Sequence, residues 1–184
     1  MRKRWIAVIA GVTVALAGCA PQTFPAAGPP SPPERGAAGS AEELADPDPS
    51  FAAHFTDPIY DDPAGEFAPF GSDEGADLLA EWSERRDELD ADSTVAELIG
   101  TADGAAEIFS LLDARDASGV PLPGEGVDAA TIIVGAAFTL LRLTGHIDAP
   151  GREHAMRALD VLIDRYGPQE DLLRQRQDLD AWRR

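Results

Sequence analysis

Residues 126–145, "GVDAATIIVGAAFTLLRLTG", decide how this chain folds. From Ala129 to Leu141 almost every position is apolar, whichever side of a helix it falls on. A helix apolar all round is either a membrane span or the buried centre of a bundle. The run is thirteen residues long, short of the roughly 20 that a span needs. The spacing therefore predicts a buried central helix over about 128–144. Asp128 is expected to cap its start and Gly145 its end.

Helical periodicity continues on both sides. Downstream, Pro150 suits a first helical turn, and Ala155, Leu159, Leu162, Ile163 and Tyr166 form an inward-facing stripe. Pro168 is expected to start a last helix with Leu172, Leu173, Leu179 and Trp182. Upstream, "ASGVPLPGEG" (117–126) reads as a loop. Asp103 is expected to open a helix bearing Ile108, Phe109, Leu111 and Leu112. Thr94 and Glu97 have capping-box spacing for a short helix that Gly100 ends. Ser72 is placed to cap a helix with Leu78, Leu79 and Trp82 on one face and Leu89 beyond. The fold class is all-α: a compact bundle of five or six helices around one core helix.

Before these helices the texture changes. "FAAHFTDPIYDDPAGEFAPF" (51–70) mixes aromatics, prolines and carboxylates. Proline forbids a long helix, and aromatics bury large areas, so an irregular aromatic arm packed on the domain is expected. Residues 20–50 hold most of the prolines and little apolar surface, and read as a disordered tether. As a coil such a segment reaches about 30 Å.

The first eighteen residues read as an export signal. Arg2, Lys3 and Arg4 precede an apolar stretch from Ile6 to Ala15, and Leu16-Ala17-Gly18-Cys19 resembles the lipobox of bacterial lipoproteins. That resemblance implies cleavage before Cys19 and acylation of its sulfur with diacylglycerol. Cys19 is the only cysteine, so the chain forms no intrachain disulfide. Two or more acyl chains anchor stably where one does not. The expected organisation is a signal peptide (1–18), a lipid-anchored tether (19–50) and an acidic helical domain (51–184) in the bacterial envelope, outside the cytoplasmic membrane.

Charge narrows the partners. The chain carries 15 basic and 33 acidic residues, a net charge of −18. Removing the three signal-peptide cations leaves twelve against 33, or −21. Nucleic-acid binding depends on neutralising phosphates, so this composition argues against it. It equally disfavours lying flat on anionic lipid. A basic protein partner is compatible.

Two stretches are similar to the YfeS-like family of uncharacterised bacterial proteins: "APFGSDEGAD" (68–77) and "GVDAATIIVGAAFTLLRLTGHID" (126–148). The resemblance implies a shared fold. It carries no reaction, and it does not extend to the tether or the lipobox.

Three groups of residues are candidate sites. The first is the opening segment: Phe70 as a hydrophobic staple, Gly71 for the turn, Ser72 as cap, and Asp73 and Glu74 against the helix dipole. Gly75 and Asp77 fall outside that account. Glycine inside a helix costs about 1 kcal/mol relative to alanine, which points to close approach of a ligand or a second backbone. The second is a carboxylate set, Asp57, Asp61, Asp62, Glu66, Asp73 and Glu74, which could converge on calcium although no EF-hand spacing is present. The third is "GHIDAPGREH" (145–154), where His146, Asp148, Glu153 and His154 could suit zinc, without an HExxH motif.

No nucleophile elbow, phosphate loop or dinucleotide fingerprint occurs, and lysine is absent after position 3. The expectation is a lipid-anchored binding protein without a cofactor, of which an immunity-like inhibitor of a basic protein is one form. The alternative is a metal-dependent hydrolase using His146 and His154.

Overall fold

The computed structural model describes residues 44–114, 119 and 124–183. The proposed signal peptide, Cys19 and most of the proposed tether lie outside the described residues. Seven α-helices and no strand occur among those residues: α1 (Pro49–His54), α2 (Asp73–Glu84), α3 (Val95–Ile99), α4 (Ala102–Leu111), α5 (Glu125–Thr144), α6 (Ala149–Tyr166) and α7 (Glu170–Ala181). The all-α bundle around a central helix is as expected. The helix count is higher than five or six because the aromatic arm contains α1. All described residues belong to one compact unit, Gly39–Arg184.

α5 is the axis. It packs against α2, α3, α4, α6 and α1, while α7 rests on α6. Ala130, Ile133, Ala136, Ala137, Phe138, Leu140 and Leu141 are fully buried. Twenty residues of helix is long and apolar enough to cross a membrane by length and composition, yet 83% of its most apolar window is covered by the domain. Its apolar character on every side is explained by neighbours on every side.

Local signals set most of the boundaries. Ser72, Thr94, Thr101 and Asp148 each accept a backbone N–H at a helix start, and Thr94 with Glu97 completes a capping box. Gly145 closes α5 in the left-handed conformation. Several expected boundaries are corrected. α5 begins one turn earlier, with Gly124 at its cap, so Asp128 lies in the first turn. Glu125 and Gly126, assigned to a loop, are helical. Thr101 caps α4, leaving Asp103 in its first turn. α7 begins at Glu170 with Gln169 at its cap, two residues later than a start at Pro168.

The arm is the other half of the core. Phe51, Phe55, Tyr60 and Phe70 are buried. Phe55 sits 5.0 Å from Tyr60, 5.5 Å from Phe138 and 5.4 Å from Trp182, ring centre to ring centre. Aromatic pairs at such distances contribute about 0.5–1.5 kcal/mol beyond their buried area. Tyr60 donates to Asp178 Oδ2 at 2.8 Å, and His54 Nε2 donates to the Asp178 carbonyl at 2.8 Å. Burial, with the adjacent Asp178 carboxylate, pushes the Tyr60 phenol far above its ordinary range, so it remains a donor.

One charged side chain locks the arm down. Arg142, at the end of α5, is only 2% exposed. Its Nε donates to Ala45 O at 2.7 Å, and one Nη donates to Tyr60 O and to Asp61 Oδ1, both at 2.9 Å. The guanidinium lies 5.7 Å from the Phe51 ring centre and 5.5 Å from that of Phe70. Asp48 N returns a bond of 2.6 Å to the Arg142 carbonyl, one of the acceptors left over at a helix end. The folded domain therefore begins by Ala45, and the last residues assigned to the tether belong to it.

Candidate functional site

Gly75 answers for itself once α5 is in place. A Cβ on Gly135 would lie 2.9 Å from Gly75 Cα, so the two helices cross glycine on glycine. A Cβ on Gly75 would collide with the Pro69 carbonyl oxygen. The close approach is a second backbone. Gly71 has the same logic, since a Cβ there would run into the Gly65 carbonyl oxygen. Phe70 is buried beneath Arg142, and Ser72 Oγ accepts from Gly75 N at 3.0 Å. Asp73 and Asp77 are exposed. Of the opening segment, Ser72 and Glu74 border a cleft.

The carboxylates proposed for calcium are distributed over separate tasks. Asp57 caps a short 3-10 turn at Ile59 and lies 3.3 Å from Arg174. Asp61 pairs with Arg142, and Asp62 accepts from Ala64 N at 2.9 Å. Glu66 and Glu74 flank the cleft, and Asp73 faces solvent in the first turn of α2.

The histidine turn is similarly dispersed. Both oxygens of Asp148 are engaged, Oδ2 by Gly151 N at 2.8 Å and Oδ1 by Val95 N at 2.9 Å. Glu153 is exposed. His154 stacks flat on Phe109 with ring centres 3.9 Å apart, and its Nδ1 is buried without a partner. Burial, and next the Arg157 cation, hold its pKa below the ordinary histidine value. His146 lines a different hollow, with Asp48, Arg86 and Asp90, and its Nε2 is also a buried orphan. Among the described residues no three His, Cys, Asp or Glu side chains are grouped to hold a metal ion.

The cleft itself lies between the 66–72 segment, the first turns of α2 and α5, the end of α6, and α7. Its volume is about 210 Å³. Sites for drug-sized ligands run from about 300 to 1,000 Å³, so this one is sized for a single side chain or a small molecule. Leu162, Leu172, Val134 and Phe67 give it an apolar body. Glu66, Glu74 and Asp128 stand on the rim, all exposed, and none of the described residues that line it is basic. Tyr166, expected inward, is 45% exposed on its edge. Its ring is tilted against Phe67 at 5.4 Å. The stripe expectation fails at this position, which borders the open cleft. Leu173 is 44% exposed.

Sequence reasoning passed over Gln175, which is wholly buried in the cleft lining. Its Nε2 donates to Phe67 O at 2.6 Å and Asp171 O at 3.2 Å. Two carbonyls can only accept, which fixes the amide's orientation. Oε1 is left buried and unpartnered. The signal was present: Gln175 falls three residues after Leu172 and four before Leu179, on the buried face of α7.

No family model matches the chain. Nor does any curated protein or solved structure.

Proposed function

We propose that this chain is an extracytoplasmic binding protein, anchored through an acylated Cys19, whose acidic helical domain engages a basic protein. An immunity-like inhibitor of a basic toxin is the form that fits best. The observation that carries the reading is the cleft: three rim carboxylates, an apolar body, and no cation among the described residues of its lining. Natural interfaces place complementary potentials across from one another, which raises the association rate. The mature charge of −21 extends the same field over the whole domain.

Two measurements test it together. Intact mass of the protein purified from bacterial membranes should show loss of residues 1–18 and a diacylglyceryl-modified Cys19. Crosslinking in envelope extract at low salt should capture a basic protein, with capture falling steeply as salt rises through the range in which the Debye length shrinks to about 8 Å. An unmodified thiol removes the anchor. No basic protein captured removes the partner.

A further inference from the structure

The cleft holds more detail than a general attraction for cations. Helix dipoles account for two of its carboxylates, since Glu74 and Asp128 sit in the first turns of α2 and α5. They do not account for Glu66, which lies in neither helix. Nor do they account for Gln175 Oε1, a fully buried acceptor with no donor. Leaving such an atom unsatisfied is costly, and the cost is relieved when an occupant brings an N–H.

We propose that the cleft receives one guanidinium side chain, an arginine of the basic partner; this rests on the function proposed above. The features each match a part of that side chain. An apolar body of Val134, Leu162 and Leu172 accommodates a methylene stem. Gln175 Oε1 accepts one N–H. The rim carboxylates of Glu66, Glu74 and Asp128 neutralise the charge and can accept the remaining donors. Tyr166 and Phe67 offer aromatic faces on which a planar cation stacks. Guanidinium has five donors in a plane, so it serves several acceptors and an aromatic wall at once; a compact ammonium serves fewer. The volume of about 210 Å³ admits one such chain and excludes a larger cofactor.

The full-length lipidated protein in detergent is titrated with acetyl-Gly-Arg-Gly-amide, and the Tyr166 ring and Gln175 amide signals are followed by NMR. Saturable shifts are expected at both. The same peptide with citrulline, which is isosteric but uncharged, is expected to bind roughly tenfold more weakly or worse. The rim variant E66Q/E74Q/D128N should lose arginine-peptide binding by a similar factor. A control with the same charge change elsewhere, D87N/D92N/E107Q, should retain it. Equal binding of the citrulline peptide, an unaffected rim variant, or tighter saturation by spermidine than by the arginine peptide overturns the assignment; the last would indicate a free polyamine. The rim and control variants are then compared in envelope crosslinking. A basic partner captured equally by the rim variant sinks the cleft and spares the proposed function. Arginine-peptide binding that needs the intact rim, with no protein captured, spares the cleft and sinks the proposed function.

Discussion

At its C-terminal end α5 closes on Gly145, and Arg142 spends its donors on Ala45 O, Tyr60 O and Asp61 while aromatic rings enclose it. At its N-terminal end the same helix starts on Gly124, with no side-chain cap among the described residues, beside a cleft whose carboxylates have no basic neighbour among the described lining residues and whose buried glutamine Oε1 lacks a donor there. The first end is sealed by Arg142, although His146 Nε2 just past Gly145 is a buried orphan. The second end is open: its rim carboxylates face solvent, and the buried Gln175 Oε1 beside them has no donor among the described residues. Buried polar groups without a partner are uncommon in folded domains.

The contrast can be broken by substitution, and the largest effect belongs to the sealed end. Arg142→Met keeps the apolar stem but strands two buried carbonyls, at about 1–3 kcal/mol each. A loss of about 3 kcal/mol in urea denaturation is expected, and a loss under about 1 kcal/mol means that Arg142 does not hold the arm. Gly75→Val tests the crossing on which both ends depend. It should cost about 2 kcal/mol through overpacking against Pro69 and Gly135, and no cost would reopen Gly75 as a ligand contact. Tyr60→Phe removes only the bond to Asp178 and should lower stability by about 1 kcal/mol.

Just beyond the sealed end, His154 adds a pH dependence. Its pKa is lowered in the fold, so the unfolded chain takes up the proton first as pH falls below about 6.5. Wild-type stability relative to His154→Phe should then be flat well above that pH and decline as the pH falls through and below it. A thermal-melting difference that does not vary with pH would count against the stacked, neutral imidazole. The smallest effect is expected at the open end. E66Q/E74Q/D128N should change stability by no more than about 0.5 kcal/mol, because exposed charges contribute little. A large loss would show that those carboxylates serve the fold after all.

Much of the architecture is legible from local rules, and the misses share a cause. Ser72, the Thr94–Glu97 box and Gly145 act through hydrogen bonds to neighbours in sequence, so spacing reveals them. Asp128 looks like a cap because it borders the apolar run, but α5 continues one turn past it into a more polar stretch. Tyr166 lies on the expected stripe yet is exposed at the edge of the cleft, which periodicity does not encode. Of the six carboxylates considered for calcium, only Glu66 and Glu74 border the same cleft, and the others, like the four residues of the histidine turn, serve separate turns and helix faces.

The sequence by itself determined an all-helical, acidic domain with one core helix, because burial of an apolar run and capping of helix ends are matters of nearest neighbours. Tertiary structure alone decided that Gly75 meets Gly135, that Arg142 reaches back across the chain to Ala45 and Tyr60, and that Gln175 is buried in a carboxylate-rimmed cleft. Those pairings join residues that lie from 60 to nearly 110 positions apart in sequence. Contacts at that separation arise from how helices pack, and packing is set by the whole core at once.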